Sequence, residues 1–221
     1  MGKNKLIRFA ENETFTNLFQ HNNFDARNEP FPLRGKWHHN YFKNDNSIVL
    51  ELGCGRGEYT VGMAQRFSDI NFIGVDRKGA RIWRGCKDGI EQNLKNTAFL
   101  RVKIEDIEYY FAPHEVHEIW ITFPDPQLRK ERNRLISPNF LSKYKKILDP
   151  LGVIHLKTDS RELYEYVMKI VPIENWNVVE HIPNVYESGN ISVLTEIQTF
   201  YEKKWLQEGK PIAYICLKQE F

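Results

Sequence analysis

Apolar runs along the chain alternate with amphipathic stretches, and that alternation predicts the fold before any chemistry is considered. SIVLELG (47–53) is a short apolar run ending in glycine, and GEYTVGMAQRF after it places Tyr59, Met63 and Phe67 at helical spacing. INFIGVDR (70–77) is a second strand, followed by a helical stretch with Ile82, Trp83, Cys86 and Ile90. AFLRVKIED (98–106), HEIWITFPDP (117–126) and GVIHLKTDS (152–160) bring the count to five strands. The fourth is apolar almost throughout, as expected when both faces of a parallel sheet are covered. RELYEYVMKIV reads as a helix, and NWNVVEHI and PIAYICLKQ as two closing strands. Seven strands interleaved with helices, without repeats or low-complexity linkers, predict a doubly wound α/β domain over residues 36–221. Its sheet is expected to be mostly parallel, with helices on both faces. The first 35 residues are polar, and NNFDARNEPFPLRG reads as loop or turn, so a mobile or loosely docked arm is expected there.

Composition narrows the class. At 221 residues, 41% apolar and 27% charged, the chain excludes disordered, collagen-like and coiled-coil proteins. No apolar stretch approaches the roughly 18 residues of a membrane span. The opening MGKNKLIRFAENETF lacks the apolar core of a signal peptide and has Leu6 where a myristoylation pattern needs Ser or Thr. No membrane association and a cytoplasmic location are therefore expected. Cys54, Cys86 and Cys216 are too widely spaced for a disulfide framework or a zinc knuckle. The histidines form no H-E-x-x-H pattern, and no metal is expected.

Net charge is only +2, but it is unevenly distributed. Residues 127–146 contain seven basic side chains and one acidic, a local +6, so the remainder sums to −4. Such concentration suits docking of a polyanion.

In doubly wound sheets ligands bind at the carboxyl ends of the strands. The first strand ends in ELGCGRGEYT, where Gly53, Gly55 and Gly57 allow a tight turn and close approach of a ligand to the backbone. A dinucleotide fingerprint requires G-x-G-x-x-G, and Glu58 stands where its last glycine should be, which disfavours a nicotinamide oxidoreductase. Glu51 beside the loop suits a ligand with an ammonium or sulfonium. Asp76, 19 residues beyond Gly57, is placed to accept hydrogen bonds from ribose hydroxyls, and Asp106 from an adenine amino group. With Asp125, carboxylates stand at four successive strand ends, which favours a sulfonium cofactor over a phosphate-rich one. Pro124 and Pro126 bracket Asp125 and restrict the backbone around it. Arg129, Lys130, Arg132 and Arg134 follow at once, where they can contact phosphates. Thr158 and Asp159 end strand five, and TEIQTFYEKKW brings Thr199, Tyr201 and Glu202. Trp37, Trp83 and Tyr201 are candidates to stack on a base.

Taken in order, ELGCGRG, GVDRKG, FPDPQLRKERNRL, KTDS and TFYEKKW make the chain resemble the bacterial tRNA (guanine-N(7)-)-methyltransferases. The resemblance implies a Rossmann-like methyltransferase fold using S-adenosylmethionine, with tRNA as substrate and guanine 46 of the variable loop as target. Glu51, Asp76, Asp106 and Asp125 match the family's cofactor-binding acids, and Asp125 also its catalytic residue. Arg129, Asp159, Thr199, Phe200, Tyr201 and Glu202 match positions that bind the tRNA substrate. Lys130, Arg132 and Arg134 are the expected contacts to the tRNA backbone. The chain departs from the family where Gln127 stands in place of a frequent Trp and Arg129 in place of a frequent Lys. An Arg fork and a Lys point charge are not equivalent. No obligatory protein partner is evident, and a monomer or homodimer is expected. The alternatives are a methyltransferase for another RNA, a protein or a small molecule, and a non-catalytic RNA-binding module. The basic segment argues against the protein and small-molecule substrates, and the glycine loop with its acids against the non-catalytic module.

Overall fold

The structure, a computed structural model, describes residues 3–21, 28–189 and 192–220. The chain divides into two compact units, Met1–Ala112 and Pro113–Phe221.

In the first unit β1 (Leu18–Gln20), β2 (Ile48–Leu52), β3 (Asn71–Val75) and β4 (Thr97–Arg101) are all parallel, in the order β1-β4-β3-β2. Every residue of β2 and β3 is buried, which is why the sequence shows continuous apolar runs there rather than alternation. Helix α1 is Lys3–Asn12, α2 is Glu58–Arg66 and α3 is Gly79–Glu91.

The stretch expected as an arm therefore carries α1 and an eighth strand, β1, beyond the seven anticipated. Asn12 Nδ2 donates to the Gly79 carbonyl at 2.9 Å and Arg8 Nη1 to the Ala80 carbonyl at 3.3 Å, joining α1 to the start of α3. The Arg8 guanidinium lies 4.8 Å from the Trp83 ring, whose Nε1 donates to Glu11. Trp37 is fully buried and stacks on Phe111 at 5.7 Å. It is a core residue and is not available to a base, contrary to expectation.

In the second unit β5 (Val116–Thr122) pairs in parallel with β6 (Leu148–Thr158), while β8 (Ala213–Gln219) runs antiparallel to both β6 and β7 (Trp176–Ile182). Helices α4 (Pro138–Ile147), α5 (Arg161–Ile170), α6 (Val193–Glu196) and α7 (Phe200–Gln207) complete it. The basic segment 127–146 is irregular up to Ser137 apart from one 3-10 turn, Glu131–Asn133, and its remainder belongs to α4. The three cysteines are free and buried.

Candidate functional site

In the first unit the glycine loop folds back on β3. Gly53 and Cys54 both donate to the Val75 carbonyl, at 2.8 and 3.1 Å. Gly53, Gly55 and Gly57 have φ of 80°, 58° and 74°, the left-handed region that disfavours a side chain. Gly57 is also closely packed, since a Cβ there would lie 2.7 Å from Phe99 Cε1 and 2.9 Å from Gly85 Cα. At Gly55 a Cβ would meet only the Gly53 carbonyl oxygen, 3.9 Å away, so protein atoms leave that side of the loop open.

Two carboxylates brace this loop. Asp76 Oδ2 accepts from the Gly55 amide at 3.0 Å and its Oδ1 from the Lys78 amide at 2.7 Å. Glu51 Oε2 accepts from the Thr60 amide at 2.9 Å and from the Thr60 hydroxyl at 2.5 Å. It thereby satisfies a donor in the first turn of α2, whose N-cap, Gly57, has no side chain to do so. Burial, reinforced by the charges of Glu51 and Asp76, pushes the Cys54 thiol well above its ordinary pKa. Both carboxylates thus stand close against the loop. Asp106 departs from the expected strand end. β4 stops at Arg101, and Asp106 lies in a 3-10 segment, Ile104–Tyr109, where it is buried.

The second unit presents the other candidates. β5 ends at Thr122, and Phe123 (φ 49°) and Gln127 (φ 46°) bracket the Pro-Asp-Pro turn in left-handed conformations. Asp125 is exposed, and its Oδ1 accepts from the Gln127 amide at 3.0 Å, which orients the carboxylate within the turn. Arg129, Lys130 and Arg132 are exposed. Arg134 is not: only 5% accessible, it donates from Nε to the Pro126 carbonyl at 2.9 Å, pairs with Glu131 at 3.2 Å and stacks 4.1 Å from the Tyr166 ring. It clamps the Pro-Asp-Pro turn and is not free to meet a phosphate, which corrects the expectation.

At the end of β6, Asp159 is half-buried; burial raises its pKa, while Lys210, 3.9 Å away, opposes the rise. Thr199 caps α7 by accepting from the Glu202 amide at 3.2 Å, and Glu202 Oε2 accepts in return from the Thr199 amide at 3.4 Å. The other Glu202 oxygen meets Lys157 Nζ at 2.6 Å and the Tyr186 hydroxyl at 2.7 Å. Lys157 and Glu202 are both fully buried. Glu202, matched above to a tRNA-binding position, is by this burial removed from the surface, whereas Asp159 keeps part of its carboxylate accessible. Phe200 and Tyr201 are 48% and 42% exposed, with rings edge to face at 5.6 Å. Among the described residues no cluster of three or more His, Cys, Asp or Glu is arranged to hold a metal.

Residues 45–215 match the family model described as "Putative methyltransferase". A tRNA (guanine-N(7)-)-methyltransferase of Christiangramia forsetii is 49% identical over 98% of this chain and 98% of its own length. Those of Bacteroides fragilis and Cytophaga hutchinsonii are 48% and 41% identical, over 97% and 100% of this chain and 85% and 99% of theirs. The chain belongs to the tRNA (guanine-N(7)-)-methyltransferase family. Among solved structures, a 30S ribosomal A1408 methyltransferase from an uncultured bacterium superposes with a TM-score of 0.61 at 20% identity, covering 82% of this chain and 91% of that one. An antibiotic-related methyltransferase gives 0.65 at 14%, covering 86% and 96%. These likenesses establish the methyltransferase α/β fold.

Thr60, Lys157 and Tyr186, which hold Glu51 and Glu202 in place, were not anticipated from the sequence. Lys157 left a trace: a lysine within the apolar run of GVIHLKTDS is a charge that needs a buried partner. Thr60 and Tyr186 left none.

Proposed function

We propose that this chain transfers the methyl group of S-adenosylmethionine to N(7) of a guanine in tRNA, forming 7-methylguanosine and S-adenosylhomocysteine, with guanine 46 of the variable loop as target. The observation that carries the reading is the exposed Asp125 carboxylate, fixed in a Pro-Asp-Pro turn and followed directly by the exposed cations Arg129, Lys130 and Arg132. S-adenosylmethionine supplies an electrophilic methyl on a cationic sulfur. The residues present suit it: the loop is open at Gly55 and is braced by the carboxylates of Glu51 and Asp76. Gly53, Gly55, Gly57, Glu51, Asp76 and Asp106 are assigned to holding it, with Asp125 contributing.

Guanine N(7) carries a free lone pair, so attack needs no prior deprotonation. Transfer of the methyl group to that nitrogen would leave on the purine the positive charge first carried by the donor's sulfur. The protein's tasks are alignment and stabilisation of that charge. Asp125 is assigned the second. Asp159 is assigned to the guanine pairing edge, whose N–H and NH2 groups a carboxylate can accept together. Arg129 and the exposed Phe200 and Tyr201 are assigned to substrate contact, and Lys130 and Arg132 to backbone phosphates. No helix among the described residues is long and apolar enough to cross a membrane. A cytoplasmic location, no metal and a monomeric or homodimeric state belong to this reading.

The test is incubation with methyl-labelled S-adenosylmethionine and unmodified bulk tRNA, followed by digestion and identification of the labelled nucleoside. Label in 7-methylguanosine is expected. Label in any other nucleoside, or none in tRNA, overturns the proposal.

A further inference from the structure

The first unit contains a cleft of about 460 Å³ that the roles above leave unused. Its walls include Arg77, Arg101, Lys103, Gln20, His21 and Glu13. These residues come from one rim. Gln20 and Arg101 are the last residues of β1 and β4 and stand opposite each other in register, while Arg77 follows the end of β3 by two residues. The cleft therefore opens at the carboxyl ends of three adjacent parallel strands, the edge on which such sheets bind ligands.

Its charge is unbalanced. Arg101 Nη1 donates to Gln20 Oε1 at 2.7 Å, and Gln20 Nε2 donates to Glu13 Oε1 at 2.8 Å, so the one carboxylate of the lining is tied through Gln20 to one of three cations. Arg77 and Lys103 are exposed, and among the described residues neither has a carboxylate within ion-pair distance. The cofactor does not account for them. The charges of S-adenosylmethionine all lie on its methionine arm, whereas the end that Asp76 would hold by the ribose is neutral. Two exposed cations on the rim that carries Asp76, with no carboxylate partner among the described residues, call for an anion from elsewhere, and the polyanion of the proposed reaction is tRNA.

We infer that the Arg77–Arg101–Lys103 cleft is a second RNA-contact site, which takes a phosphodiester group of the tRNA backbone. The inference rests on the reading of tRNA as substrate and adds a docking contact from the first unit to those of the basic segment after β5. Arg101 shapes the cleft from within, since its guanidinium packs 5.0 Å from the Phe9 ring. Arg77 and Lys103 supply the accessible charge.

The experiment uses the full chain with Lys103→Gln, Arg77→Gln and Lys103→Arg, leaving Arg101 intact because of its packing. Binding of unmodified bulk tRNA is measured without cofactor from about 50 to 200 mM salt. Each Gln variant is expected to weaken binding roughly three- to tenfold at the low end and to lower the log–log salt slope by about one. Lys103→Arg retains the slope. Melting temperature and affinity for S-adenosylmethionine stay at the wild-type values. An unchanged slope in both Gln variants overturns the inference. So does loss of S-adenosylmethionine affinity with tRNA binding intact, which would make the cleft part of the cofactor pocket. Labelling of wild-type reactions separates the two readings: 7-methylguanosine formed alongside unchanged slopes removes this site alone, whereas a wild-type protein that does not bind tRNA removes both.

Discussion

Asp125 and Arg134 stand nine residues apart in one polar segment, yet burial gives them opposite tasks. The Asp125 carboxylate faces solvent and takes one hydrogen bond from the Gln127 amide. Asp125→Asn keeps an acceptor for that amide and removes the charge. It is expected to lower the single-turnover methylation rate by about a hundredfold, the scale of losing one preorganised electrostatic group, with tRNA affinity unchanged. Parallel loss of tRNA binding would show that Asp125 docks substrate and does not stabilise the product cation. Arg134 has its guanidinium between the Pro126 carbonyl, Glu131 and the Tyr166 ring. Arg134→Ala leaves the Pro126 carbonyl without its donor and should cost about 2 kcal/mol in denaturant unfolding. Arg132→Ala, at an exposed position, should stay within about 0.5 kcal/mol of wild type and weaken tRNA binding instead. Local sequence makes the two arginines look alike, because what separates them is Tyr166, a residue brought in by tertiary folding from 32 positions away.

Among elements, the second unit is held by two polar links that no periodicity announces. Lys157 of β6 and Glu202 of α7 form a fully buried ion pair completed by the Tyr186 hydroxyl, and Lys157 also donates to the Leu194 carbonyl. Burial lowers the Lys157 pKa and the Glu202 charge opposes that fall. Lys157→Met strands a buried carboxylate and should cost about 3–5 kcal/mol, whereas Lys157→Met with Glu202→Leu should recover most of it. A double-mutant cycle of unfolding free energies measures the coupling, and additivity of the two changes would deny it. The second link joins β5 to β6: Glu118 lies 3.2 Å from His155 Nε2, and the His155 ring stacks on Trp120 at 4.0 Å. The approach of His155 holds the Glu118 pKa below its ordinary value of 4.5. A depressed carboxylate contributes stability that is complete above that value and is lost as pH falls through the lower folded one. Glu118→Gln should therefore flatten the acid limb of the melting-temperature profile and leave the slope above pH 5 unchanged, to an order of magnitude set by the same linkage. The main strands were legible because doubly covered parallel strands are continuously apolar. Three-residue β1 and the Ile104–Tyr109 segment were not, since elements that short take their conformation from neighbours and not from their own pattern.

At the scale of the whole molecule, the formal net charge of +2 is a poor guide to RNA binding, because field strength at a polyanion depends on where charges lie. The glycine loop and its acids were legible from spacing, whereas the choice among basic residues required burial. Arg129, Lys130 and Arg132 remain as the exposed cations next to Asp125. Changing all three to Gln takes the formal net charge from +2 to −1. If each neutralises one phosphate, the log–log slope of tRNA affinity against salt should fall by about three, since each phosphate contact contributes nearly one unit through counterion release. A control separates local field from bulk charge. Lys95 lies just before β4 and Lys169 in the last turn of α5, both exposed and both remote from strand carboxyl ends in sequence. Changing that pair to Gln lowers net charge from +2 to 0 and should leave the slope where it was. Equal loss of slope per charge in both sets would mean that tRNA responds to the molecule's overall charge, and the assignment of the segment after β5 as a docking surface would fall.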